Sequence, residues 1–285
     1  MALPFSISIA ALSLLQGSVV AVPRAWDAGR LQRLRSRRWA LVPPVSVVGF
    51  VLVASFAERA SADGLTYLAL VAVPPLGALA LGWLAWDATP PKPWRALLVT
   101  PVLFGLAWAD HGGLAGQAAA CCLSALSCAA LGALLAAVTP PGWLAAGIVA
   151  MALADTALVV SDLLQKPNSA LNAAHPAAGL PQLQYAAFGS AAMGYGDLFV
   201  AGVLGALLAT AFGRAWQLRG AAFAALLACC FDLLFFFVSE LPATVPIAVT
   251  LLLVAAVSRR SRSRPEARPG ARRRSRPARS RVSAG

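Results

Sequence analysis

Three aspartates lie deep within long apolar segments of the sequence. They are Asp155 in MALADTALVV, Asp197 in GYGDLFV and Asp232 in CCFDLLFFF. A carboxylate at membrane depth is costly, and it is therefore a candidate for a functional role by default. Asp162 follows Asp155 by seven residues and lies nearer the end of its segment, so we expect it to hydrate the mouth of a cavity.

Asp155 and Asp197 can meet if their segments form neighbouring antiparallel helices joined by one loop. Asp155 then lies roughly 18 Å from the inner end of its helix, and Asp197 lies roughly 18 Å from the outer end of the next. Two facing carboxylates in a low dielectric cannot both be charged, so one holds a proton that the other lacks. The ionised member can deprotonate a water while the neutral member protonates a carbonyl oxygen. This chemistry hydrolyses an amide without a cofactor.

The elements that must hold these residues are membrane-spanning helices. The chain of 285 residues is 59% hydrophobic and 12% charged, with a mean hydropathy of +0.74, whereas soluble domains carry about 25% charged residues. A helix needs about 20 apolar residues to cross the hydrocarbon. The segments that qualify on this scale are 2–22, 39–57, 65–86, 95–110, 114–138, 143–164, 185–212, 221–239 and 242–258. We therefore predict an all-α, multi-pass protein of the plasma (inner) membrane with about nine spans.

The basic residues predict the orientation of these spans. The net charge is +12, with eleven of the 23 Lys and Arg in the last 27 residues and six more within 24–38. With nine spans and the N-terminus outside, 21 basic residues face the cytoplasm and only Arg59 and Lys166 lie outside, as the positive-inside rule requires. The basic tail is expected to be disordered and to bind anionic lipid headgroups rather than nucleic acid.

A metal site is not expected from the remaining candidate ligands. The two histidines, His111 and His175, stand alone in loops, and the five cysteines lie inside apolar runs. An odd number of cysteines buried in hydrocarbon indicates reduced thiols rather than a disulfide framework. We therefore expect neither a metal nor an organic cofactor.

Glycines flank the second aspartate. Gly194 and Gly196 carry no side chain beside Asp197, so the backbone of a substrate can approach the carboxylate closely. Close packing between helices explains the same glycines, because glycine is common in membrane spans. The sequence leaves both explanations open.

These residues resemble the presenilin and signal peptide peptidase family of intramembrane aspartyl proteases. In that family one catalytic aspartate follows a tyrosine in the sixth span, the second lies in a G-x-G-D motif of the seventh, and a Pro-Ala-Leu motif opens the ninth. Here Asp155 falls in the sixth predicted span, GYGD (194–197) in the seventh, and LPATVPIAV (241–249) at the start of the ninth. Two positions depart from the pattern: Ala154 replaces the tyrosine and Thr244 replaces the leucine.

The resemblance implies catalysis by Asp155 and Asp197 on transmembrane or signal-peptide helices whose N-terminus faces the cytoplasm. It also implies substrate contacts from the residues around the two later motifs, namely Gly194, Tyr195, Gly196, Leu198, Pro242, Ala243 and Thr244. We divide the chain into a five-helix N-terminal part (1–142), a catalytic four-helix part (143–258) and the tail (259–285). The resemblance covers the four-helix part.

Two other functions remain open from the sequence. A proton-coupled transporter would use Asp155, Asp197 and Asp232 as a relay, and it would require Asp232 as much as the other two. A prepilin-peptidase-like aspartyl protease shares the G-x-G-D motif, although an apolar run follows the motif here where that group has a lysine. Gradient-driven uptake would favour the first, and cleavage of a soluble leader would favour the second.

Overall fold

The computed structural model describes residues 3–25, 29–86, 93–238 and 241–262. Most of the predicted tail (259–285) lies outside the described residues, and its first four residues continue the last helix. The described chain is mostly helical. Its helices are α1 (Phe5–Ala21), α2 (Val42–Phe56), α3 (Glu58–Trp86), α4 (Pro93–Leu97), α5 (Val99–Ala109), α6 (Leu114–Val138), α7 (Pro141–Val160), α8 (Gln165–Ala173), α9 (Tyr195–Ala211), α10 (Arg214–Phe231) and α11 (Val245–Arg262). Short 3-10 turns lie at Gly29–Leu34, Arg37–Leu41, Ala177–Gly179 and Asp232–Phe236.

Four helices in the described residues are long and apolar enough to cross a membrane, judged by length and composition. They are Glu58–Trp86, Leu114–Val138, Pro141–Val160 and Arg214–Phe236, the last including the 3-10 turn after α10. Other predicted spans contain shorter apolar helices, among them Phe5–Ala21, Val99–Ala109 and Tyr195–Ala211. To this extent the prediction of a helical membrane protein is confirmed.

The predicted span at 185–212 is wrong in its first ten residues. These residues form an antiparallel hairpin of β1 (Tyr185–Phe188) and β2 (Ala191–Gly194), and α9 begins only afterwards. Phe188 pairs with Ala191, which leaves Gly189 and Ser190 as a two-residue turn. Gly189 adopts φ +62°, and a two-residue hairpin turn needs this conformation at its first position. Hydropathy alone cannot distinguish such a hairpin from a helix.

Two other predicted elements differ from the structure. The segment 95–110 is broken into α4 and α5, because Pro101 has no N–H to donate to the carbonyl of Leu97. The connection 165–184, expected to be a loop, contains the short helix α8. Before it, α7 ends at Val160, and Asp162 adopts φ +57°.

Helix α9 forms the centre of the fold and packs against α1, α6, α7 and α10. Nearly all of its residues from Leu198 to Ala209 are buried. A Cβ added at Gly202 would collide with the Cys128 carbonyl of α6, and one at Gly132 would collide with the Gly202 backbone. The two helices therefore touch backbone to backbone, as small residues at a helix interface allow.

Hydrogen bonds at the two ends of α1 show which helix ends and loops lie on the same side of the fold. The hairpin turn lies beside the start of α1, where the Ser190 backbone N–H donates to the Ser8 hydroxyl (3.1 Å). At the opposite end of α1, the side-chain amide of Gln217 near the start of α10 donates to the Val20 carbonyl (2.8 Å). The hairpin therefore shares a side with the start of α1, and the start of α10 shares a side with its end.

Candidate functional site

A cavity of about 970 Å³ opens among the helices, and both Asp155 and Asp197 line it. Its wall is mostly apolar, with side chains from α2, α3, α7 and the segment 241–246. Such a surface suits an apolar peptide segment, and the carboxylates of Asp155, Asp197 and Asp232 are its acidic groups.

The start of α9 fixes the position of Asp197. Gly194 is the N-cap of α9, and Asp197 is the third residue of the helix. A Cβ added at Gly194 would lie 3.0 Å from Asp197 Oδ2, so the side chain reaches back to the cap as the acid of a capping box does. The positive end of the helix dipole also favours a negative charge here. The same local geometry ends the hairpin, starts the helix and directs the carboxylate into the cavity.

Thr244 fixes the position of Asp155. Asp155 is the fifteenth residue of α7 and is buried. The Thr244 hydroxyl donates to Asp155 Oδ2 at 2.6 Å. Thr244 is itself fully buried just before α11. Asp155 therefore has a donor of its own, supplied by the segment that precedes the last helix.

The structure brings Asp155 and Asp197 to the same cavity. The predicted depth of Asp197 is wrong in one respect. We expected about twelve helical residues between Asp197 and the outer end of its span, but the hairpin occupies most of these residues. The hairpin folds back on itself, and it delivers the first turn of α9 to the level of Asp155.

The expected substrate contacts separate into two groups. Gly194, Tyr195, Gly196 and Ala243 line the cavity. The other three, Leu198, Pro242 and Thr244, are not among the residues that line it. Leu198 is fully buried in the core, because one step along a helix turns its side chain by about 100° away from that of Asp197. The Tyr195 hydroxyl lies 2.8 Å from the Ser127 hydroxyl of α6, which anchors the first turn of α9.

Two glutamines that no sequence motif indicates also belong to the site. Gln16 of α1 lines the cavity, and its Nε2 donates to the Ala243 carbonyl at 2.9 Å. Gln184, just before β1, also lines the cavity and is buried. The available signal for Gln16 was an amide side chain inside the apolar run AALSLLQGSVV, because a polar group at membrane depth needs partners.

The two further aspartates occupy different environments. Asp232 lines the same cavity as the pair, and its Oδ2 accepts a hydrogen bond from the Ser13 hydroxyl at 2.6 Å. Asp162 is exposed beyond the end of α7 and is not among the residues that line the cavity. Only Asp232 therefore shares the chemical environment of the pair.

The described residues contain no group of three or more His, Cys, Asp or Glu side chains that could hold a metal ion. All five cysteines are free. Comparison of the chain with protein-family models, with curated proteins and with solved structures finds no significant match. The function must therefore be inferred from the geometry of the cavity and from the carboxylates of Asp155 and Asp197 in its wall.

Proposed function

We propose that the protein is an intramembrane aspartyl protease that hydrolyses peptide bonds of transmembrane or signal-peptide helices. One observation carries the proposal: Asp155 and Asp197, from consecutive predicted spans, line one largely apolar cavity. Such a pair shares one proton, which is the arrangement that acid–base hydrolysis of an amide needs.

The reaction uses the pair as general base and general acid. The ionised carboxylate removes a proton from a water as the water attacks the peptide carbonyl, and the neutral carboxyl donates its proton to the carbonyl oxygen. The Thr244 hydroxyl holds the Asp155 carboxylate in position during this exchange, and the first turn of α9 holds Asp197. A helical amide is shielded by its own hydrogen bonds, so the substrate unwinds first. The extended segment pairs with backbone near Ala243 and at the start of α9, as an added strand.

The proposal includes the predicted topology: nine spans, the N-terminus outside and the C-terminus in the cytoplasm of the plasma (inner) membrane. This topology places the segments 23–38 and 213–220 in the cytoplasm. The contact between them at the end of α1, where Gln217 donates to the carbonyls of Val20 and Pro23, supports that placement. The basic tail then faces anionic headgroups on the cytoplasmic leaflet. Substrates of the matching orientation have a cytoplasmic N-terminus.

A cleavage assay with model transmembrane peptides in proteoliposomes tests the proposal. Asp155→Ala and Asp197→Ala should each abolish turnover, whereas Asp232→Asn should retain most of it. Peptide analogues with a hydroxyl at the scissile position should inhibit, because they mimic the tetrahedral intermediate. Full turnover by either alanine variant would refute the protease assignment.

A proton-coupled transporter is the second candidate, and the position of Asp232 in the same cavity favours it. Three carboxylates in one cavity provide the parts of a proton relay. This function predicts gradient-driven uptake that Asp232→Asn abolishes along with the other two substitutions. The Asp232→Asn variant therefore distinguishes the two functions in one set of membranes.

A further inference from the structure

Unpartnered acceptors concentrate in the cavity. Among the described residues, the buried side-chain atoms without a hydrogen-bond partner are Gln16 Oε1, Gln184 Oε1, Thr100 Oγ1 and Thr139 Oγ1. Both glutamines line the cavity of the two aspartates, and neither threonine does. A buried polar atom without a partner is costly. Two such atoms in the wall of one cavity point to a ligand that supplies donors once the amides turn toward it.

The orientation of the Gln16 amide leaves only its oxygen available. Nε2 donates to the Ala243 carbonyl at 2.9 Å and lies 3.5 Å from the Asp197 carbonyl oxygen. Two carbonyl neighbours require the NH₂ end of the amide at this position, which fixes Oε1 as the free end. Gln16 is 1% exposed. Its oxygen is therefore a desolvated acceptor at the level of Asp197 and of Ala243.

Gln184 repeats this arrangement near the start of α9. Its Nε2 donates to the carbonyls of Ala174 (3.1 Å) and Leu171 (3.3 Å), and the side chain is 4% exposed. Tyr185 pairs with Gly194 in the hairpin. Gln184 therefore lies beside the residue that begins α9, close in sequence to Asp197. Again the amide donors are used and only Oε1 remains.

We propose that Gln16 and Gln184 are substrate-binding residues, each accepting a hydrogen bond from a backbone N–H of an extended peptide held across Asp155 and Asp197. The cleavage of that peptide rests on the proposed function, whereas its binding does not. A segment unwound in an apolar cavity has N–H groups that no longer bond within a helix, and these need acceptors. Two side chains that offer only an oxygen match this need and select for an amide backbone.

An ester scan of the substrate tests the proposal. In each peptide one backbone N–H is replaced by an ester oxygen, which removes one donor and keeps the shape. In the wild-type protein we expect esters at two positions to lower kcat/KM about tenfold each. Gln16→Met should abolish the effect at one position and Gln184→Met at the other, and Gln165→Met, at an exposed glutamine of α8, should leave both effects intact. Gln16→Met also removes the hydrogen bond to the Ala243 carbonyl. That loss affects the amide and the ester peptide equally, so it cancels when their rates are compared within one variant.

The same peptides are also measured for binding to the wild-type protein, which separates this inference from the protease assignment. Coupling means that the effect of an ester at one peptide position disappears in one methionine variant. Such coupling in binding, without any cleavage, would refute the protease assignment and support the two acceptors. Cleavage that requires Asp155 and Asp197 but shows coupling below twofold at every position would overturn the acceptors and leave the protease standing. If a methionine variant does not fold, the wild-type scan still decides, because the lack of any sensitive ester position overturns the proposal.

Discussion

Replacement of Thr244 by valine removes one hydroxyl from the site and leaves the shape of the side chain nearly unchanged. That hydroxyl donates to Asp155 Oδ2 at 2.6 Å. A hydrogen bond to a charged group contributes about 1.5–3 kcal/mol, and about 1.4 kcal/mol corresponds to a tenfold change in rate. We therefore expect Thr244→Val to lower kcat by about 10- to 100-fold. KM should change little, because Thr244 is fully buried and is not among the residues that line the cavity.

The assay is the initial rate of cleavage of a transmembrane peptide in proteoliposomes, with thermal unfolding of each variant measured in parallel. Thr244→Ser is the matched control, because it keeps the donor and loses only a methyl group, so its kcat should stay within a few-fold of wild type. Wild-type turnover by the valine variant would refute the reasoning. Equal losses in the valine and serine variants, at unchanged thermal stability, would refute it as well, because the methyl group would then matter more than the hydroxyl.

Three further predictions concern the packing of α9, the two motif glycines and the hydrogen bonds of Gln217. Gly202→Leu should lower the free energy of unfolding by about 1–3 kcal/mol or more, because the new side chain meets the α6 backbone; Gly105→Leu, where nothing lies within 4 Å of an added Cβ, is the control in the same thermal-unfolding measurement. Gly194→Ala should lower kcat about tenfold, because its Cβ would lie 3.0 Å from Asp197 Oδ2 and displace it. Gly196→Ala, whose Cβ would lie 3.9 Å from Met151 Cε, should change kcat much less, and equal effects would contradict this expectation. Gln217→Leu should destabilise the fold by about 1–3 kcal/mol, since it leaves carbonyls at the end of α1 without their buried donor; an unchanged melting temperature would show that this contact contributes nothing.

Local sequence was sufficient to locate the two aspartates and the helical class. A carboxylate inside an apolar run is conspicuous at any position, and the apolar runs themselves predict helices of membrane length. The hairpin before α9 was missed, because Tyr185–Gly194 is mostly apolar and contains no charged residue, so hydropathy joins it to the helix that follows. Its one local signal was the glycine-serine pair at 189–190, which fits a two-residue turn.

The groups that position the aspartates could not be predicted from local sequence. Thr244 lies 89 residues from Asp155, and Gln16 lies 227 residues from Ala243. Contacts of this separation depend on how the helices pack, which hydropathy does not encode. Thr244 even counted as a departure from the family motif, although in the structure its hydroxyl is the closest donor to Asp155.

The backbone contact between α6 and α9 limits how the cavity can open. Glycines on both sides bring these two helices into backbone contact, so Asp197 stands on a closely packed wall of the cavity. Helix α3 packs against α6 as well, whereas α2 makes fewer contacts with the rest of the fold. If the proposed substrate enters laterally from the lipid, we therefore expect α2 to move.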